Sequence, residues 1–493
     1  MRIPGFPQSR PARRVPGEPR RSGLFRLPGL FRFPGLFRFP GAPAALAYGA
    51  FSLFGLAVAV VSTQSPHRLW GACAATGYGC AALASLARVR WRRELALTVA
   101  VAGALLVPLC WLAAAGRGMP EVGVVAHSAQ LLVQHGRPYQ SAAVLGADVN
   151  GYNPYLPGMT LFGLPQSVFG RGVATDPRVW DGLAFFAAFA AALRIAGGTG
   201  GTGGAGGTGS MRRAAMLTAS PLIAFPLAVS GNDLAVLGLI CLGLALTTRA
   251  LTARPDLRRP PSPAWAGIAL GGAAALKATA WPAVLIVGVL FLARDGRGAA
   301  VRFAAAAGAV LAVVVGPILV IQPADLAANT IGFPLGLTRA RSPAASPLPG
   351  HLIAATGPVG HLAVIALLAA AAVGLGVLLV VRPPRNAVTA AGYLALALTM
   401  LFLLAPATRW GYFIYPASIG CWLGMSGLVP GGPSGSPRQP QLAGALTDGT
   451  PVRDDRRLPD GFLASRAPRP HAIIGACPAR GAVTRLRCPV PLD

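Results

Sequence analysis

Residues Arg88–Ala115 read RVRWRRELALTVAVAGALLVPLCWLAAA. Four arginines (Arg88, Arg90, Arg92, Arg93) and Glu94 lead directly into an uncharged run, 95–115. A helix needs about 20 apolar residues to cross the hydrocarbon core of a bilayer. A basic cluster against one end of such a run marks the cytoplasmic side. The pattern recurs along the chain, with further apolar segments at about 44–62, 70–87, 179–196, 213–229, 234–248, 264–276, 280–294, 301–321, 359–381, 386–404 and 411–428. Arg212-Arg213, Arg249 to Arg259, Arg294 to Arg302, Arg382 to Arg385 and two basic tails fall between them. About twelve spans with both termini cytoplasmic place every cluster on one side. The expected fold is therefore an all-α, polytopic transmembrane helical bundle in the plasma membrane.

Composition agrees. Of 493 residues, 54% are hydrophobic and 12% charged, about half the charge of an ordinary soluble chain. A soluble enzyme and a disordered or fibrous protein are excluded. The net charge of +28 does not point to nucleic acid, because the arginines sit in short clusters between apolar runs, where they set orientation. The seven cysteines show no CxxC or Cys/His metal spacing and read as small buried filler. Of the 43 basic residues, only Lys277 is a lysine.

The domain reading has three parts. Residues 1–40, rich in Pro, Gly and Arg, carry the tandem repeats GLFRLP, GLFRFP and GLFRFP and cannot form a core. Residues 41–429 are the membrane domain, and 430–493 form a second polar cytoplasmic tail. The Gly/Thr run at 197–209 reads as a linker, since no GK[ST] follows it. Residues 155–170, short and with two prolines, read as a re-entrant or surface helix rather than a span.

Chemistry is sought among the fifteen acids. The orientation leaves Glu121, Asp148, Asp176, Asp181, Asp233 and Asp325 on the outer side, where 116–178 and 322–358 are the loops large enough to build a site. The first opens on Pro120 and Glu121, a favourable first turn, and continues to a Gly136 stop. Val122, Val125, Ala129, Leu132 and Val133 make a stripe at helical spacing, so this reads as an interfacial helix with its apolar face in lipid. Glu121 is then either a first-turn charge or a base held at the lipid–water boundary. Asp148 to Tyr155 (DVNGYNPY) mixes acid, amide and aromatic groups suited to sugar hydroxyls, or to an interfacial belt. Lys277 lies where two short helices meet. A compact ammonium there suits a lipid phosphate, or snorkels to the interface. Arg409 is a second outer cation among aromatics, a phosphate clamp or a belt anchor. Asn232-Asp233 reads first as a helix cap. His351 and His361 are isolated and support no metal site.

The order of these elements resembles a known family. An outer-loop acid precedes a helix ending in Gly136-Arg137-Pro138-Tyr139. The turn Tyr152-Asn153-Pro154-Tyr155, then Gly231-Asn232-Asp233, Ala274 to Thr279 (AALKAT) and Arg409-Trp410-Gly411-Tyr412 follow. Over about residues 95–428 this resembles the polytopic C-type glycosyltransferases, specifically the actinobacterial members of glycosyltransferase family 87, which include polyprenyl-phosphate-mannose-dependent mannosyltransferases. The resemblance implies a hexosyltransferase of C-type architecture moving a sugar, mannose in the first instance, with inversion. The donor is a polyprenyl-phosphate-sugar lipid and the acceptor a lipid or glycan on the outer face. The loop acid, here Glu121, would deprotonate the acceptor, and Lys277 and Arg409 would stabilise the departing phosphate. Tyr152, Asn153, Tyr155, Asn232, Asp233 and Tyr412 join the set expected to touch substrate. No metal or other cofactor is expected, because side chains neutralise the leaving monophosphate. One departure stands out: the family's loop acid is commonly Asp, and Asp148 is the nearby Asp, so the base is Glu121 or Asp148. The alternative from a different class is a secondary transporter, which short Gly/Pro-interrupted segments also suit.

Overall fold

The computed structural model describes residues 41–199, 214–252, 262–340 and 342–426. The N-terminal repeats, most of the Gly/Thr run and the C-terminal tail lie outside them. Among the described residues every named element is helical, and the one isolated β-bridge joins Ala345 to Thr408.

Eight helices are long and apolar enough to cross a membrane by length and composition: Ala42–Val61, Ser65–Leu86, Arg92–Ala114, Pro177–Gly197, Leu234–Leu251, Ala278–Val314, Pro358–Val381 and Ala387–Leu404. The count differs from the twelve apolar segments for local reasons. Segments 280–294 and 301–321 remain two helices within Trp281–Val314: the chain breaks at Gly296 (φ 79°, ψ −177°) and folds back, bringing the Phe291 and Phe303 rings to 5.5 Å, so this one stretch accounts for two of the twelve segments. Pro263–Leu276 has 14 residues and stops at Lys277. The segment 213–229 is split before Pro221, whose ring offers no N–H to continue the ladder. Its later part is Pro221–Val229. The last segment contributes Ile414–Ser426, only 13 residues.

Side chains from neighbouring helices repair the prolines. Pro108 cannot donate to the carbonyl one turn back, and around it Arg92–Ala114 loosens into a π-turn at Ala102–Leu106. The Ala104 carbonyl accepts instead from the buried Trp70 indole at 2.7 Å. Likewise the Tyr78 hydroxyl donates to Ala219 O at 2.6 Å beside the break before Pro221. Where no water is available, an unsatisfied backbone group costs several kcal/mol, so these bonds make the breaks tolerable.

Three of the basic clusters come together at one end of the described helices. Arg294 donates to Leu251 O at 2.9 Å and to Arg385 O at 3.1 Å, so three of the clusters read from sequence as one side do meet. The candidate residues gather at the opposite end, where Leu234–Leu251 and the helix that opens at Trp281 begin.

The first-loop helix runs Pro120–His135 as its punctuation predicts, ended by Gly136 in the left-handed region (φ 67°). Its surroundings correct the sequence reading. Val122, Val125, Ser128 and Ala129 are its buried residues, and they pack on the chain's own 157–169 rather than in lipid. The physical reason is Ser128, which a hydropathy stripe passes over. Its hydroxyl bonds to Pro138 O at 3.0 Å and to Thr160 Oγ1 at 2.8 Å. Residues 157–169 form a 3₁₀ turn, Pro157–Gly163, and a short helix, Leu164–Phe169, as the non-spanning reading expected. Gly163 permits the close approach, since a Cβ there would meet the Val125 carbonyl and the Ala129 methyl. Replacing Gly163 by Ala is expected to lower stability by about 1–3 kcal/mol, the usual cost of overpacking. Thermal unfolding in detergent checks this, and an unchanged midpoint contradicts it.

Candidate active site

Four helix ends and two turns deliver the polar side chains. Pro120 starts the first-loop helix and brings Glu121 into its first turn. Gly231 (φ 80°) lets the chain reverse between Pro221–Val229 and Leu234–Leu251, which sets Asn232 and Asp233 on the turn. The helix Pro263–Leu276 ends at Lys277, whose extended backbone (φ −154°, ψ 139°) separates it from the next turn, Ala278–Ala280. Arg409 leads into the turn Trp410–Phe413. Thr408 fixes that strand-like approach: its N–H donates to Ala344 O at 2.8 Å and its carbonyl accepts from Ser346 N at 3.0 Å.

These elements assemble two ion pairs. Lys277 pairs with Asp233 Oδ1, and Arg409 pairs with Glu121 Oε1. Asn232, fully buried, ties one to the other: its amide donates to the Glu121 carbonyl at 3.0 Å, and Asp233 is its neighbour in sequence. Met119 N donates to Val229 O at 2.9 Å, which joins the same two segments again. The Lys277 ammonium lies over two aromatic faces, 5.3 Å from the Tyr155 ring centroid and 5.0 Å from that of Tyr412. Such cation–π contacts are worth about 2 kcal/mol or more when desolvated. Leu156 N donates to Leu276 O at 3.0 Å, which holds Tyr155 against Lys277.

Charge states follow from these contacts. Burial pulls the Lys277 ammonium down, but Asp233 and Tyr412 outweigh it, and the net shift is upward from the ordinary lysine value. Lys277 is therefore a full cation at neutral pH. Burial, helped by the negative field of Glu121 and Asp233, raises Tyr155 well above its usual range, and burial likewise raises Tyr412. Both phenols stay neutral, as walls that exclude water.

The structure thus brings together Glu121, Asn232, Asp233, Lys277, Arg409, Tyr155 and Tyr412. Asp233 does not serve as the helix cap that its position suggested, for its side chain makes no capping bond. The Ala235 amide at that helix start instead faces the Asp181 carboxylate, 3.3 Å away. Other candidates stand apart. Asp148 is exposed and caps its own 3₁₀ turn through Asn150 N at 3.1 Å. Tyr152 stacks on Phe333 at 4.8 Å. Asn153 bonds to Ser128 Oγ and Asn329 Oδ1, and so braces the loop.

Sequence reasoning passed over two participants, Tyr415 and His67, and kept Asp181 among the outer-side acids without giving it a role. Tyr415 donates to Asp233 Oδ1 at 2.8 Å and accepts from Thr279 at 3.4 Å. Asp181 is fully buried under the same turn. His67, edge-on to Phe225 at 4.9 Å, lies within electrostatic reach of Arg409 and Glu121. Tyr415 carried a weak signal, its place in the aromatic run after Arg409, while His67 carried none.

Comparison with known proteins adds a family. The sequence profile of glycosyltransferase family 87 matches residues 153–408, just over half the chain. The match includes Tyr155, Asn232, Asp233 and Lys277, while Glu121 and Arg409 lie outside it. Among curated proteins, no sequence matches. Two crystal structures of ArnT from Cupriavidus metallidurans, one in the apo state and one bound to undecaprenyl phosphate, are similar at 18% identity with a TM-score of 0.44. The alignments cover 68% and 69% of this chain, which spans about three-fifths of theirs, 59% and 60%.

Proposed function

The chain belongs to glycosyltransferase family 87, and from that premise we propose that it transfers a hexose, mannose in the first instance, from a polyprenyl-phosphate carrier to an acceptor hydroxyl at the outer face of the plasma membrane. The observation that carries this reading is the joining of the Glu121–Arg409 and Lys277–Asp233 pairs into one cluster at the helix ends. Its four charges sum to zero, so a bound phosphodiester would be the one unbalanced charge. The cations can also share it without releasing their carboxylates. An ammonium has three N–H donors and a guanidinium five, and one of each is committed to Asp233 and Glu121.

In this reading Glu121 Oε2, buried and without a hydrogen-bond partner among the described residues, accepts the acceptor's proton. The acceptor oxygen bonds to the anomeric carbon as the carbon–oxygen bond to phosphate breaks from the opposite face, giving inversion. The electron pair leaves on the polyprenyl phosphate, whose growing charge Lys277 and Arg409 stabilise from fixed positions. Asp233, gripped by Tyr415 and Lys277, positions the ammonium. The transporter alternative requires polar groups along the bundle. The buried ionic residues among those described, Asp176, Arg178 and Asp181, instead sit together at the start of one helix, Pro177–Thr199.

Nanodisc-embedded protein supplied with radiolabelled polyprenyl-phosphate-mannose and a membrane lipid extract is expected to release polyprenyl phosphate and label an extractable product. Intact donor after prolonged incubation, alongside substrate uptake in proteoliposomes, would overturn the reading. Because Asp148 faces solvent on its own turn, Asp148→Asn is expected to keep turnover within about twofold, the scale of a surface change remote from the chemistry. A loss comparable to that of Glu121→Gln would instead make Asp148 the base.

A further inference from the structure

We infer that Arg178, clamped on Asp176, is a positioning residue that sets the Asn232-Asp233 turn against Glu121; this rests on the transferase reading above. Arg178 is 1% exposed, and each of its three guanidinium nitrogens donates one hydrogen bond. Its Nε and Nη2 donate to the two oxygens of Asp176 at 2.8 and 2.7 Å, and Nη1 donates to Ala228 O at 2.8 Å. The same carboxylate accepts from the Arg178 backbone N–H at 3.0 Å, so acid and base are locked at the start of Pro177–Thr199.

The clamp bears on the site through its neighbours. Ala228 precedes Val229, whose carbonyl takes the Met119 amide, and Met119 lies two residues before Glu121. Gly231 sits directly on Arg178, where an added Cβ would approach its Cγ and Cα to 3.0 and 3.1 Å. Gly231 also needs φ 80°, a conformation side chains rarely adopt. Arg178 is therefore the floor on which the turn is folded. That turn presents Asn232 to the Glu121 backbone and Asp233 to Lys277. A bidentate guanidinium is the group that can hold a carboxylate and a carbonyl at once in a fixed plane. Burying a charge is costly unless it is paired and hydrogen-bonded, and its pairing to Asp176 with a bond to Ala228 O on the neighbouring segment gives it a role the loop arginines do not share.

The test compares Arg178→Gln, Arg178→Lys and Gly231→Ala with the wild type in nanodiscs. Backbone hydrogen exchange is followed over 117–121 and 228–234, together with donor KM and kcat for sugar transfer. Arg178→Gln is expected to raise exchange in both segments by about tenfold or more while the spanning helices stay protected. Its kcat should fall by about a hundredfold, the scale of a 1 Å misplacement, with donor KM within about threefold. Arg178→Lys, which keeps one charged contact, should recover about a tenth of wild-type kcat. Wild-type kcat in Arg178→Gln, or unchanged exchange in both segments, overturns the inference. Should Arg178→Gln fail to accumulate, Gly231→Ala carries the test with Arg178 intact. Raised exchange over 228–234 with lowered kcat supports the inference, and unchanged kcat overturns it. A wild-type protein without transfer activity defeats the proposed function alone, since the exchange comparison still decides whether Arg178 holds the turn.

Discussion

Glu121→Gln is expected to lower kcat for sugar transfer by about 10²–10⁴-fold, the contribution typical of a general base. The substitution keeps the length and planarity of the side chain, so the amide oxygen can still accept from Arg409. What disappears is the basic oxygen, Oε2, which is buried without a hydrogen-bond partner among the described residues. Stability should change little. The pair is about one-fifth to one-quarter exposed, 21% for Glu121 and 27% for Arg409, and partly solvated pairs of this kind contribute about 0–1 kcal/mol. Donor KM should also hold, because Lys277 and Arg409 remain in place to bind the phosphate. Glu121→Asp is the informative companion. It retains the base but withdraws it by about one C–C bond, and an intermediate loss is expected because reach matters more than charge. Transfer by Glu121→Gln at the wild-type rate would remove Glu121 from the mechanism.

The residues of this site were legible in sequence because charge is scarce in the chain. In a chain with fifteen acids and one lysine, topology alone eliminates most candidates and leaves Glu121, Lys277 and Arg409 prominent. Local punctuation was equally plain, as Pro120 and Gly136 show by bounding their helix as expected. Partnership was not legible. Glu121 and Arg409 are 288 positions apart, and Lys277 and Asp233 are 44 apart. No local pattern encodes which carboxylate meets which cation. Asp233 was misread for a physical reason, since an acid before an apolar helix ordinarily caps it. Here Asp181, from a neighbouring helix, faces that amide and frees Asp233 for Lys277. The span count blurred where prolines break helices whose freed carbonyls Trp70 and Tyr78 satisfy, and where the chain folds back at Gly296.

Lys277→Met is expected to have the second large effect, and its interpretation depends on Asp233. Removing the ammonium leaves the Asp233 carboxylate with the Tyr415 hydroxyl as its remaining side-chain partner among those described. Lys277 and Asp233 are only 12% and 20% exposed, and stranding one member of a buried pair costs about 3–5 kcal/mol. The variant should therefore unfold at lower temperature in detergent as well as lose transfer. Asp233→Asn alone should also destabilise, because it leaves a cation between Tyr155 and Tyr412 without its counterion. In the double variant Lys277→Met/Asp233→Asn no charge is stranded, and the methionine can rest on the same two rings. Stability is then expected to recover most of the loss, a coupling that the double-mutant cycle measures directly. Activity separates the roles of Lys277. If the ammonium only braces the turn, the double variant should regain turnover along with its stability. If it holds the departing phosphate, stability returns and turnover does not, and donor release stays slow however well the bundle folds. The second outcome is the one expected, because Tyr155 and Tyr412 wall a cation that still has donors to offer.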